Sequence, residues 1–387
     1  MFTRLLHLPD HSFFLFGPRG TGKTTWLRQV LPNALWFDLL RTQTFLALTR
    51  QPDSFRQQIQ AWPEGSWIVV DEVQRLPSLL NEVHALIAER GHAYRFALSG
   101  SSARKLKRMD VNLLAGRVIN RQFFPLTGTE LNYDIDLDQV LRFGLLPQIH
   151  AEPNFALDAL EAYVANYIRE EIQQEALVRN LDSFSRFLEV AALMNGQIAN
   201  VSGLARDCAV ARPTVQGYFA TLVGTLIGFW LPAWRKRAKV KEVASPKFYL
   251  FDPGVVRALA GRLREPLDPV ERGFLLETWL LHELRAAMAC QDTGGQLHYW
   301  RTPGGTEVDF IWTRAEHAVG LEIKAATTWR SEYGAALKSL LAQGSLEAAY
   351  GIYLGTAELK DGALRVFPLR RFLRELASGN VLRTVEE

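Results

Sequence analysis

A chain of 387 residues exceeds one ordinary hydrophobic core, so two or three domains are expected. It is 48% hydrophobic and 22% charged, which excludes a disordered or fibrous chain, and a formal net charge of +3 requires any nucleic-acid contact to be carried by a local patch. Its two cysteines, Cys208 and Cys290, exclude a disulfide framework and a thiolate zinc site and suit a reducing cytoplasm.

The N-terminal MFTRLLHLPDHSFF is broken by His7 and Asp10 and makes a poor signal peptide. No later stretch reaches membrane-spanning length without a charge or proline; TLVGTLIGFWLPAW stops at Pro232. A cytoplasmic protein with no membrane partner is expected.

The first chemical signal is FGPRGTGKTT at 16–25, between the strand-like HSFFLF and the helical TTWLRQVL. It fits the phosphate-binding pattern G-x-x-x-x-G-K-[ST] in full. Gly17, Pro18, Arg19, Gly20, Thr21, Gly22, Lys23, Thr24 and Thr25 are therefore expected to cradle the phosphates of ATP. The glycines let backbone N–H groups turn inward, and the helix start adds partial positive charge. Lys23 should reach the β- and γ-phosphates, and the Thr24 hydroxyl should sit on Mg²⁺. Next, SWIVVDEVQRLP predicts an apolar strand ending in Asp71 and Glu72. Asp71 is placed to hold the ATP-bound Mg²⁺, and Glu72 is the natural base for an attacking water. AYRFALSGSSARKL predicts a further strand, after which Ser99 or Ser101 could contact the γ-phosphate or the lytic water; each could equally be a helix cap. LLAGRVIN puts Arg117 just before another strand, as an arginine finger or a solvated side chain.

The order P-loop, Asp-Glu, Ser-Gly-Ser-Ser, Leu-Ala-Gly-Arg resembles AAA-type ATPases. More narrowly it is similar to a prokaryotic group whose ATPase is fused to a C-terminal domain of unknown function. The similarity continues through GLLPQI at 144–149, PKFYLFDPGVVRAL at 246–259, and ETWLLHEL to EIKAA. It implies an ATP-hydrolysing homo-oligomer, a ring or stacked filament, with Arg117 acting on a neighbour's nucleotide.

From 128 to 180 the pattern turns helical; in ALDALEAYVANYIREEIQQEALV, Leu157, Leu160, Tyr163, Val164 and Tyr167 form a helix stripe. Residues 183–250 read as helices, a turn, a long helix and strands. VSGLARDC and RPTVQGYF have helix-turn-helix spacing, with Pro213 in the first turn of the second helix. The basic PAWRKRAKVKE, with Arg235, Lys236, Arg237, Lys239 and Lys241 against Glu242, falls where a wing would contact a nucleic-acid backbone. Against DNA contact, the second helix offers Val215, Tyr218, Phe219, Leu222, Val223, Leu226 and Ile227 to a core. That leaves only Thr214, Gln216, Ala220 and Thr221 outside.

In GGTEVDFIWTRAEHAVGLEIKAA, period-two alternation predicts a hairpin in which Val308 faces Ile323, Phe310 faces Leu321 and Glu307 faces Lys324. That register opposes Asp309 to Glu322, a cost that a divalent metal would turn into a binding site. A third acid, Glu277, lies on the helix stripe Phe274, Leu281, Leu284 and Met288 and needs a partner. Glu…Asp-x₁₂-Glu-x-Lys resembles the restriction-endonuclease-like nucleases. The resemblance implies Asp309 and Glu322 as ligands of Mg²⁺ or Mn²⁺, Lys324 as the water-positioning cation, and Glu277 as an outer ligand. Equally, the set could be a structural network on an inactive fold.

The expected chain is thus α/β: a P-loop AAA-type parallel-sheet domain at 1–127, a helical lid or connector at 128–180, a winged-helix domain at 181–262, and a restriction-endonuclease-like α/β domain at 263–387. The leading expectation is Mg²⁺-dependent ATP hydrolysis coupled to DNA binding and to metal-dependent cleavage or remodelling. The alternative is a nucleotide-gated signalling or defence switch whose C-terminal domains bind protein partners.

Overall fold

The computed structural model describes residues 2–102, 114, 116–168, 181–235 and 245–383. The expected basic stretch Lys236, Arg237, Lys239, Lys241 and Glu242, the helical 169–180 and the Tyr167 side chain lie outside the described residues.

Strands β1 (Phe13–Phe16), β2 (Leu35–Asp38), β3 (Trp67–Asp71), β4 (Arg95–Gly100) and β5 (Ile119–Gln122) form one parallel sheet in the order β2-β3-β4-β1-β5. Helices α1 (Lys23–Val30), α2 (Thr42–Arg50), α3 (Asp53–Gln60) and α4 (Leu79–Arg90) connect them. The central strands β1, β3 and β4 are apolar on both faces because both are covered. Ile68, Val70, Phe96 and Leu98 pack with Val83 on one side, while Val69, Ala97, Phe13 and Leu15 pack with Trp26 and Leu27 on the other. With β4 between β1 and β3, Ser99 stands between the loop leaving β1 and the acids ending β3.

Among the described residues the α-helices α5 (Leu137–Phe143), α6 (Pro147–Ala151), α7 (Ala156–Ala162), α8 (Leu181–Leu193) and α9 (Val201–Asp207) follow, with a π-helical turn at Tyr163–Ile168. After α10 (Arg212–Gly224), β6 (Gly228–Leu231) pairs antiparallel with β7 (Lys247–Leu250), and α11 (Pro253–Leu259) closes the region. Asp136, Asn200 and Asp252 cap α5, α9 and α11 by accepting backbone N–H bonds. On α10, Val215, Tyr218, Phe219 and Leu222 are buried as their spacing predicts. Thr221, expected outside, is fully buried as well. Its hydroxyl donates to the Gly217 carbonyl at 3.0 Å, so the helix itself satisfies the polar group.

The last part opens with α12 (Pro269–Gln291), followed by β8 (Gln296–Arg301), β9 (Glu307–Arg314), β10 (His317–Lys324), α13 (Ala335–Ala342), β11 (Ala348–Tyr353), β12 (Leu359–Asp361), β13 (Leu364–Pro368) and α14 (Leu369–Ala377). The strands make a mixed sheet in the order β12-β13-β11-β10-β9-β8. Phe310 pairs with Leu321, the register that alternation predicts. The turn is tighter than TRAEHA implied: Arg314 pairs with His317, leaving only Ala315 and Glu316.

Helix α12 is not the one-stripe helix expected from sequence. Leu275, Leu276, Trp279, Leu280, Leu281 and Leu284 are all buried, while Phe274 is exposed. The helix is buried on most of its sides because one core, running from Leu126 to Leu382, encloses it. The stretches expected as separate units at 128–180, 181–262 and 263–387 share this core.

Helix α12 also grips the chain leaving the first sheet. Gly128 N–H and Trp279 Nε1 both donate to Glu283 Oε1, at 2.7 and 2.8 Å, and His282 Nε2 lies 2.9 Å from the Leu126 carbonyl. Burial pushes the Glu283 carboxyl up to about 8 and the His282 imidazole down to about 4. Both donors meet one oxygen, which suits a protonated Glu283 with Oε1 as its carbonyl. Because the folded value lies above the ordinary 4.5, Glu283 favours the fold most below that value. The contribution disappears as pH rises through about 8. Thermal midpoints are therefore expected to fall between pH 6 and 9, and to fall less in Glu283→Gln; identical pH profiles would refute the assignment.

Candidate nucleotide site and a second acidic site

The P-loop is shaped by contacts that exclude side chains. A Cβ on Gly17 would lie 2.2 Å from the Phe123 carbonyl oxygen, and Gly22 has φ +92° where α1 begins. Lys23 is buried and folded back, Nζ donating to the carbonyls of Gly17 at 2.7 Å and Pro18 at 3.1 Å. The Thr21 hydroxyl donates to the Pro18 carbonyl at 2.8 Å.

Two distant residues hold the loop from outside. Arg4 donates to the Thr21 carbonyl at 2.8 Å and to the Phe124 carbonyl at 2.6 Å, pairs with Glu130 at 3.0 Å, and lies over the Phe123 ring. Tyr163 donates its hydroxyl to the Arg19 carbonyl at 2.9 Å. Beside the loop, Gly22, Thr25 and Trp26 join Phe2, Arg4 and Pro147 around a cavity of about 280 Å³.

The acids at the end of β3 sit in a closed polar network. Thr24 Oγ1 donates to Asp71 Oδ2 at 2.8 Å, and the Ser99 hydroxyl donates to Asp71 Oδ1. Asp71 is fully buried, and its carboxyl is held above the usual range, chiefly by that burial. Glu72 has φ +58°, a left-handed conformation unfavourable for a glutamate, and its N–H donates to Ser99 Oγ at 3.1 Å. Ser101 donates to Glu72 Oε2 at 3.2 Å, and the Gln74 amide donates both to that oxygen and to Ser101 Oγ. The two serines left open by sequence thus divide the work, Ser99 on Asp71 and Ser101 on Glu72. Arg117 is exposed, with its guanidinium against His84 Nε2 on α4.

Around the second acidic site, the Ile323 N–H donates to Asp309 Oδ2 at 2.7 Å. Lys324 Nζ binds Glu322 Oε1 at 2.5 Å, while the buried Glu322 Oε2 has no hydrogen-bond partner among the described residues. Glu277 accepts from Lys247 Nζ at 3.3 Å and from the Tyr249 hydroxyl. Lys247 also pairs with Glu307 at 2.5 Å. Burial pushes Glu277 up to about 7 despite Lys247, and raises Asp309 and Glu322 as well. Among the described residues, no three His, Cys, Asp or Glu side chains form a metal-binding group.

Sequence reasoning missed Arg4, Gln74, Tyr163, Lys247 and Tyr249. Gln74 lay in view two residues beyond Glu72. The others act across the fold and carry no local pattern.

The nested glycines, the lysine and the Thr24–Asp71 pair form a P-loop of the kind that holds nucleotide phosphates. Residues 10–132 match a family model described as an AAA domain. Residues 134–265 and 272–372 match two models, each described as a domain of unknown function. Uncharacterized proteins of Mycobacterium tuberculosis (Rv2008c) and Mycobacterium bovis (Mb2031c) are each 28% identical to this chain over 320 residues, which is 81% of this chain and 70% of theirs. Among solved structures, a RuvB variant of Thermotoga maritima is 19% identical with a TM-score of 0.30, covering 57% of this chain and 82% of that one. The ADP form of the Aeropyrum pernix ORC2 protein is 14% identical with a TM-score of 0.31, covering 70% and 88%. At these scores the likenesses carry no argument. No described helix is long and apolar enough to cross a membrane.

Proposed function

We propose that this protein is a Mg²⁺-dependent ATPase, working as a homo-oligomer, whose hydrolysis cycle is coupled to DNA. The observation that carries the ATPase reading is the joined set of Thr24, Asp71, Ser99, Glu72, Gln74 and Ser101 beside a buried Lys23. The residues suit a divalent cation, since Asp71 is a fully buried carboxylate next to a second acid. Thr24 and Asp71 would hold Mg²⁺, whose chemistry is to neutralise charge on the phosphate oxygens. Lys23 exchanges its carbonyl partners for phosphate oxygens. Glu72 takes the proton of the attacking water as the bond to the γ-phosphorus forms and the bridging oxygen leaves. The 280 Å³ cavity beside Trp26 suits the base of the nucleotide. Arg117, exposed, is assigned to the nucleotide of a neighbouring copy.

DNA contact rests on the paired helices α9 and α10, the following strand pair and the exposed Arg235, as in a winged helix. Steady-state ATP turnover without nucleic acid, with single-stranded DNA and with duplex DNA tests the coupling, with Lys23→Ala as the inactive reference. Severalfold stimulation by either DNA is expected.

One observation favours the second reading, a nucleotide-gated switch binding protein partners. Two of the acids expected to form a nuclease site, Glu277 and Glu322, are paired with lysines, Lys247 and Lys324. The unpartnered Glu322 Oε2 still leaves Asp309 and Glu322 suited to Mg²⁺ or Mn²⁺. Turnover indifferent to DNA, with no cutting beyond that of an Asp309→Ala protein, would select the switch.

A further inference from the structure

Arg285 lies on α12 with no acid among the described residues to match it. Its guanidinium stacks over the Phe229 ring at 3.7 Å and stands 5.6 Å from the Phe124 ring. It forms no hydrogen bond or ion pair with any described residue, and burial alone pushes it down to about 10. The aromatic contacts offset only part of what a desolvated charge loses.

Two cavities share this side chain. The larger, about 650 Å³, lies between β5, β6, α12 and the start of β8, with Trp230, Met288 and Leu297 on its walls. The smaller, about 180 Å³, reaches Gly17 and Pro18 of the P-loop; Gln122 and Phe229 line both. Strand β5 is the outermost of its sheet, so one side of its backbone is left for a ligand. Arg121, also on the larger cavity, is balanced by Asp292 at 3.3 Å, which leaves Arg285 as the unmatched cation there among the described residues.

We propose that the cavity around Arg285 binds a small organic anion, a phosphate or carboxylate on a flat apolar body, whose acidic group pairs with the guanidinium. A planar guanidinium matches either group through two parallel N–H bonds. Phe229, Trp230 and Met288 supply the apolar walls, and the volume falls within the roughly 300–1,000 Å³ of small-molecule sites. Through the shared wall the occupant is felt at Gly17 and Pro18, so it acts as an effector of the P-loop and not as its substrate.

The test uses the full chain with its P-loop saturated by ADP and Mg²⁺. Phenyl phosphate and benzoate are titrated separately by calorimetry. At least one is expected to bind at one site per chain, and the stronger probe tells a phosphate source from a carboxylate source. Arg285→Met should weaken that binding by about tenfold or more, the usual effect of losing charge-assisted hydrogen bonds. The same variant should unfold at a slightly higher temperature, because an unmatched, half-buried charge is gone. If Arg285→Met does not fold, Arg285→Lys keeps the charge without the two-pronged geometry, and weaker binding by the folded variant supports the site. Absence of binding to the wild-type protein, or unchanged affinity in either variant, overturns the proposal.

Discussion

Glu72→Gln is expected to lower steady-state ATP turnover by about 10²- to 10⁴-fold, the range that a positioned general base contributes. Nucleotide affinity should be nearly unchanged. The amide has the shape of the carboxylate and can still accept from Gln74 and Ser101, which now hold Glu72 Oε2. It cannot take a proton from water. Its backbone, fixed at φ +58° with the N–H on Ser99, does not depend on the side chain's charge. Lys23→Ala should behave differently and lose nucleotide affinity too, because Lys23 is the buried cation of the loop. Equilibrium binding of a fluorescent ATP analogue, measured beside turnover, separates the two. Full turnover by Glu72→Gln would show that another group activates the water.

The largest expected effect on stability is at Lys247. Lys247→Met should cost about 3–5 kcal/mol, the range for removing one partner of a buried ion pair. Lys247 is buried and serves both Glu277 and Glu307. Without it, Glu277 keeps only the Tyr249 hydroxyl, and its carboxyl, already raised to about 7, rises further. Adding Glu277→Gln should recover part of the loss, because the orphaned carboxylate is then neutral. Thermal unfolding of the two single variants and the double variant measures the coupling. Additive effects would mean that Lys247 contributes through Glu307 or packing and not through Glu277.

The contrast between these two residues shows how the chain can be read. Glu72 was legible because the chemistry of a phosphate site compresses into neighbours: a strand must end in acids, and a glycine loop must precede a helix. Period-two alternation was equally local, and it predicted the pairing of Phe310 with Leu321 before any tertiary contact was known. Lys247 had no such signal. It reaches Glu277 from a strand 30 residues earlier, and no spacing rule connects them. Thr221 and α12 failed for a related reason. Periodicity reports how many faces are apolar, but a helix enclosed by several layers no longer has an outside.

The sequence by itself determined the glycine–lysine loop between a strand and a helix, the strand that ends in Asp71, and the register of the β9–β10 hairpin. These follow from contacts within a few residues or from strict alternation. Only the tertiary structure decided which serine serves which acid, that Arg4 and Tyr163 hold the loop, and that Lys247 enters the second acidic site. It also revealed Arg285 as an unmatched charge. Each of these depends on groups from distant segments sharing one buried volume, where desolvation makes every polar pairing consequential.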